Sequence, residues 1–230
     1  MLIIFDLDDT LIDTSFSITP VKLQDAFHRM QAAGMQFPEE GRGIEILQRL
    51  NSTALSAKDA LEEFFEIHQL EKRFLSIGLE EIYEGYSDEI PVFPVKGAIE
   101  VLDELCHYHE MAIVTVGKEG LQKKKMKKAG IDFSYFSRII VTETKNKKPH
   151  YQQILEESGL LPTDILVCGD RIQTDLLPAR ELGFHTVQFL FGRGKYCNGQ
   201  KSDVDYSIVE LSQLKQIIMS LTESRKKKPW

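Results

Sequence analysis

Residues 3–13 read IIFDLDDTLID, an apolar run that ends abruptly in Asp6, Asp8, Asp9 and Asp13. Ile3, Ile4 and Phe5 suit a buried strand. Carboxylates crowded at the end of such a strand raise one another's pKa and cost stability unless something compensates. Side chains alternate along extended chain, so Asp6 and Asp8 point the same way and Asp9 faces elsewhere. The stretch therefore asks for a partner charge at the end of a buried strand.

Working outward, further short apolar runs end in polar loops: Met111–Val116, Arg138–Thr142, Ile165–Cys168 and His185–Leu190. Helical patterns lie between them, over Gly97–Tyr108, Gly120–Ala129, His150–Ser158 and Leu176–Leu182. Strand alternating with helix predicts an α/β fold with a parallel sheet covered on both faces. The second strand starts only after residue 110, so a long insertion follows the first. Roughly residues 15–91 are rich in helix formers, and SAKDALEEFFEIHQLEKRFLSIGLEEIYEGY reads as one or two amphipathic helices with Leu61, Phe64, Phe65, Ile67 and Leu70 on the apolar side. Pro91, Pro94 and Gly97 mark the return to the sheet.

Composition narrows the classes. The chain has 230 residues, 42% hydrophobic and 27% charged, as expected of a soluble globular protein. No stretch is long and apolar enough for a membrane span, and Met1–Phe5 is too short for a signal peptide. Cys106, Cys168 and Cys197 are widely spaced and lack metal-ligand spacing, which fits reduced thiols in a cytoplasmic protein. The net charge is −7, and residues 15–90 carry all of it, with 14 acidic against 7 basic side chains. An acidic insertion disfavours nucleic acid as a partner.

Open parallel sheets place their chemistry at the carboxyl ends of strands. The residues there are Asp6-Leu7-Asp8, Thr115-Val116-Gly117, the loop ETKNKKPH, and Gly169-Asp170 followed by RIQTD. One edge thus collects carboxylates, a hydroxyl and a lysine. A carboxylate in such a place can attack phosphorus, and all-oxygen ligand sets suit magnesium.

These four stations in this order resemble the haloacid dehalogenase-like superfamily: DLDDT its first motif, AIVTVG its second, the Lys-Pro of NKKPH its third and GDRIQTD its fourth. The resemblance covers nearly all of the core. It implies a Rossmann-like parallel sheet core over residues 1–14 and 92–230 and a helical cap over 15–91. The 33 positions from Thr115 to Lys148 leave no room for a second cap. The resemblance further implies Asp6 as nucleophile and Asp8 as general acid and base. Thr115, with the amides of Val116 and Gly117, and Lys148 would bind phosphate. Asp6, Asp170 and the main-chain carbonyl of Asp8 would hold Mg2+, the cation that relieves the acidic cluster, with Asp175 either holding a metal-bound water or serving as a direct ligand. Lys148 is chosen over Lys145 and Lys147 because it precedes proline.

The implied activity is a magnesium-dependent phosphatase acting on a small phosphorylated metabolite. Asp8 speaks against a dehalogenase, which has no leaving alkoxide to protonate. A phosphomutase and a non-catalytic binding protein on the same fold are the alternatives. Arg42, between two glycines in what reads as an inter-helical loop, is a candidate specificity contact with Arg49, Lys72 and Arg73. Asp13 reads as a cap at the entry to the insertion. The run Lys123–Lys128 reads as a solvated helix face, and SRKKKPW as a mobile tail. Oligomeric state is not legible.

Overall fold

The computed structural model describes residues 1–54, 56–85, 89–196 and 203–226. Cys197 and the last four residues of the basic tail lie outside them. Six strands are described: β1 (Leu2–Phe5), β2 (Glu110–Val116), β3 (Arg138–Thr142), β4 (Ile165–Gly169), β5 (His185–Phe189) and β6 (Tyr206–Ile208). They form one sheet in the order β3-β2-β1-β4-β5-β6, and every pairing is parallel. β1 is the shortest of the inner strands and sits at its middle, between β2 and β4. The chain moves from β1 to β2 on one side and returns to β4 on the other, which opens a crevice beyond the carboxyl end of β1.

Alternation assigns the two faces. Ile3 and Phe5 join one apolar cluster with Val101, Leu102, Met126 and Leu214, while Leu2 and Ile4 join another with Tyr151, Ile154, Leu176 and Phe184. Both faces of β1 are buried, which is why its sequence is continuously apolar rather than alternating. The covering helices are α5 (Ala98–Leu105), α6 (Glu119–Lys128), α7 (Lys148–Ser158), α8 (Leu177–Arg180) and α9 (Leu214–Lys226). Strand β6 went unforeseen, since Tyr206–Ile208 is three residues long and only Ile208 is buried.

Between β1 and α5 come α1 (Thr19–Ala32), α2 (Glu40–Thr53), α3 (Ala57–His68) and α4 (Lys72–Tyr83). They share an apolar cluster of their own around Leu23, Phe27, Met30, Leu47, Leu61, Phe64, Phe65 and Phe74. Ile67, expected on the apolar side of α3, is 56% exposed instead. Arg42 lies within α2, not in a loop. Gly43 is needed there because a Cβ would come within 2.6–2.9 Å of the Phe27 and Phe37 rings, so glycine lets α2 seat on α1. Asp13 caps the π-helical turn Thr14–Ile18 that opens the insertion, its carboxylate accepting the Phe16 N–H at 3.0 Å.

Candidate active site

Asp6 leaves the end of β1 still in register with β4, its N–H donating to the Cys168 carbonyl at 2.9 Å. Asp170 follows β4 directly, and Asp175 closes back over the same strand end from the turn Ile172–Leu176. All three are buried, and their carboxylates each offer an oxygen within 4.8 Å of the others. Gly169 makes the approach feasible, because a Cβ there would lie 2.7 Å from that of Asp175. Into this group reaches Lys147, 1% exposed, whose Nζ donates to Asp6 Oδ1 at 2.5 Å and to Asp175 Oδ1 at 2.7 Å. The second oxygen of Asp175 accepts the Arg171 N–H at 3.0 Å.

Burial pushes Asp6 up to about 7, with Lys147 opposing and the Asp175 charge reinforcing the rise. Burial likewise raises Asp170 well above the ordinary carboxylate range, against the pull of Arg171. For Lys147, burial alone would lower the pKa, yet the charges of Asp175 and Asp6 outweigh it and the ammonium is held more firmly than usual.

Asp8 is in a different environment two residues away. The chain turns sharply after it: the Leu11 and Ile12 N–H groups both donate to the Leu7 carbonyl at 2.9 Å, and Asp9 takes a left-handed φ of 58°. The Asp8 carboxylate is tied to α6, accepting from Lys125 Nζ at 2.8 and 3.0 Å and from Gln122 Nε2 at 2.8 Å, with the Thr14 hydroxyl as a further donor. Burial would raise its pKa, but Lys125, Gln122 and Thr14 together bring it down to about 2. One short loop thus carries two carboxylates pushed in opposite directions.

Thr115 is buried at the end of β2, beside that pair. Gln122 Nε2 donates to its Oγ1 at 2.9 Å and to the Val116 carbonyl at 3.0 Å. With Gln122 as donor, the Thr115 proton is left to point toward another acceptor. Gly117 donates its N–H to the Thr142 carbonyl at 2.8 Å, so that amide is already engaged rather than presented to a ligand. Its φ of 152° and the Gln122 side chain packed 3.1 Å from where a Cβ would sit account for glycine there.

The expectation for Lys148 requires correction. Its Nζ donates to Glu181 at 2.7 Å on the surface, and the lysine at the carboxylates is Lys147. Adjacent residues entering a helix cannot face the same way. Lys147, Tyr151 and Ile154 form the buried row at spacings of four and three, with Lys148 on the outward side. That row was readable in the sequence and outweighs proximity to proline. The specificity candidates Arg42, Arg49, Lys72 and Arg73 are all exposed, Arg42 pairing with Glu39 and Arg73 with Glu71. The run Lys123–Lys128 is not uniformly solvated either, for Lys125 turns in to Asp8. Gln122 and Lys125 share a face of α6 at i and i+3, a spacing that hydrophobicity alone does not flag.

Three buried carboxylates with an oxygen each at mutual reach suit a hard divalent cation. One observation favours that use: Asp170 Oδ2 is buried with no hydrogen-bond partner, the guanidinium of Arg171 standing 3.7 Å off. Asp6, Asp170 and Asp175 are the side chains placed to hold such an ion.

The haloacid dehalogenase-like hydrolases match residues 3–189, spanning the sheet from β1 through β5. The glyceraldehyde 3-phosphate phosphatase of Pyrococcus furiosus is 26% identical over 94% of this chain and 92% of its own length. The enzyme of the same name from Methanocaldococcus jannaschii is 27% identical over 95% and 97%. Among solved structures, the predicted phosphoglycolate phosphatase of Haemophilus somnus 129PT superposes with a TM-score of 0.71 at 19% identity, covering 94% of this chain and 97% of that one. The HAD-hydrolase YfnB of Bacillus subtilis, bound to magnesium, gives 0.65 at 19% identity over 95% and 98%. Motif order, sheet topology and a match over most of the sequence agree, and the chain belongs to the haloacid dehalogenase-like hydrolase family.

Proposed function

We propose that this chain is a magnesium-dependent phosphatase that hydrolyses a small phosphate monoester through an aspartyl-phosphate on Asp6. The observation that carries the reading is the division between Asp6 and Asp8: a carboxylate gripped by Lys147 at the sheet end, and a second one held apart by Lys125 and Gln122. The phosphatase names of the relatives support it, and glyceraldehyde 3-phosphate is the first substrate to try. Residues 1–14 and 92–230 act as the catalytic core, with 15–91 as the cap over it. Among the described residues no helix is long and apolar enough to cross a membrane. Free Cys106 and Cys168 support a cytoplasmic setting.

In this reading Asp6 attacks the phosphorus and Asp8 delivers a proton to the departing alkoxide oxygen. Asp8 is ionised before substrate arrives. An incoming phosphate dianion is a like charge that raises its pKa, so the proton is taken up as substrate binds. Once the alcohol has left, the carboxylate of Asp8 is the base that takes a proton from the water attacking the phosphoryl group. Lys147 steadies Asp6 and neutralises the transferring oxygens, and the Thr115 hydroxyl donates to one of them. Bound at Asp6, Asp170, Asp175 and the Asp8 main-chain carbonyl, Mg2+ would supply charge neutralisation for nucleophile and phosphate together.

The test is phosphate release from a panel of phosphorylated metabolites, glyceraldehyde 3-phosphate and phosphoglycolate included, with magnesium or with EDTA, beside Asp6→Asn. Turnover that needs magnesium and disappears in the folded variant is expected. Normal activity of Asp6→Asn removes the nucleophile. Isomerisation of a sugar phosphate without phosphate release moves the reading to a mutase.

A further inference from the structure

The turn after β5 reads Gly192-Arg193-Gly194, and its backbone is pressed onto both acidic loops. Gly192 has a φ of +48°, and a Cβ there would come within 2.5–2.8 Å of the Asp9 carboxylate. At Gly194 a Cβ would lie 2.6 Å from the Phe189 carbonyl and 2.8 Å from that of Asp170. Gln188 bridges the same pieces, its Nε2 donating to the Asp170 carbonyl at 3.4 Å and the Gly194 carbonyl at 3.3 Å. The residue between the glycines is therefore mounted on the floor of the site.

Arg193 reaches away from that floor into the helical insertion. It is 6% exposed, and its guanidinium holds both acceptors of Asn51 near the end of α2: Nε donates to the main-chain carbonyl at 3.3 Å and Nη2 to the side-chain Oδ1. Its other nitrogen, Nη1, stands 4.0 Å from Asp9 Oδ2. Asn51 is buried too. Asp9 in turn accepts the Ser15 N–H at 2.7 Å and the Ser15 hydroxyl, at the entry to the insertion. Two other ion pairs across the same divide, Lys118–Glu84 and Lys145–Asp59, are solvent-exposed and expected to contribute little. A two-pronged guanidinium grip in a buried setting has fixed geometry and is strong by comparison.

We propose that Arg193 is a positioning residue that latches the helical insertion, through Asn51, onto the catalytic floor. The latch holds the cleft closed over bound substrate and selects the arrangement in which the insertion contributes to recognition. Its kinetic consequences rest on the phosphatase reading; its structural consequence does not. Losing the latch lowers the population of the closed arrangement, which weakens apparent affinity in proportion while leaving the chemistry of Asp6 and Asp8 in place.

The experiment compares wild type, Arg193→Ala, Arg193→Lys, Asn51→Ala and the Arg193→Ala/Asn51→Ala pair by amide hydrogen exchange and by steady-state kinetics on the best substrate of the panel. Expected is exchange in the last turns of α2 accelerated about tenfold in each alanine variant, β1 and β4 amides staying at wild-type rates, and no further gain in the double variant. KM rises about tenfold with kcat held within about threefold, and Arg193→Lys falls between wild type and alanine because it can satisfy one acceptor at a time. Wild-type exchange of α2 in both alanine variants, or full additivity in the double, overturns the latch. Should Arg193→Ala fail to fold, Asn51→Ala and Arg193→Lys decide on the same readouts. A chain that hydrolyses nothing sinks the phosphatase reading alone, since the exchange comparison still stands.

Discussion

Replacing Lys147 with methionine, beside the same change at Lys148, separates a buried charge from a surface one. The Lys147 ammonium is shared by Asp6 at 2.5 Å and Asp175 at 2.7 Å in a place closed to solvent. Removing one member of such a group strands the others, a loss of about 3–5 kcal/mol. For a chain of this size that corresponds to a melting temperature lowered by about 6–20 °C. The sign with pH is fixed. Asp6 already sits at about 7 because of burial, and losing the adjacent cation drives it higher. Between the unfolded carboxylate value and that raised one, the folded protein binds more protons than the unfolded. Stability then falls as pH rises, so the deficit is largest near pH 8 and shrinks toward pH 5.5. Lys148 pairs with Glu181 where both side chains are about half exposed, and its loss should move stability by about 0–1 kcal/mol. Thermal melts of wild type and both variants at the two pH values read out the stability arm. Turnover reads out the other, with Lys147→Met expected to fall about 10²–10³-fold and Lys148→Met to stay near wild type. A Lys148→Met protein that loses activity while Lys147→Met keeps it would refute the assignment of the buried lysine.

Lys125→Met should raise the Asp8 pKa from about 2 toward the ordinary carboxylate range; because Asp8 must be ionised to take a proton from the attacking water, the acid limb of the kcat profile shifts upward and turnover falls about 10–100-fold, and an unmoved profile would show that the α6 contact does not govern Asp8. Metal-free wild type should melt higher at pH 5.5 than at pH 8, since folding raises Asp6 and Asp170 and their protons are lost as pH climbs; saturating magnesium should flatten that dependence, and a metal-independent slope would locate it elsewhere. Gly192→Ala forces a Cβ to within 2.5 Å of the Asp9 carboxylate at a left-handed φ, so a loss of more than about 2 kcal/mol in denaturant melts is expected, and a neutral result would mean the turn relaxes freely.

The sheet and the acidic floor were legible in the sequence for a physical reason. A strand buried on both faces must be continuously apolar, and carboxylates stranded at its end have few uses other than chemistry or a cation. IIFDLDDT states both at once, and Gly169-Asp170 repeats the pattern on the neighbouring strand. Less legible was every contact that depends on which way a helix is turned. The sequence places Lys147 and Lys148 side by side and Lys125 within a run of five lysines, and charge alone cannot rank them. Rotation is set by the apolar partners: Tyr151 and Ile154 carry Lys147 inward, and Met126, buried in the sheet-side cluster, turns its neighbour Lys125 toward Asp8. Arg193 was hidden for a further reason. Its partner Asn51 is 142 positions away, and neither residue belongs to a motif. The sign that marks the turn is the pair of glycines around Arg193, which becomes meaningful only once Asp9 and Asp170 are seen against their backbone. The carboxylates of Asp6 and Asp170 sit at strand ends, where the strand fixes their direction. The groups placed around them sit on helices and turns, where direction follows from packing: the row of Lys147 with Tyr151 and Ile154 shows it in the sequence, while the contact of Arg193 with Asn51 emerges only in the folded chain.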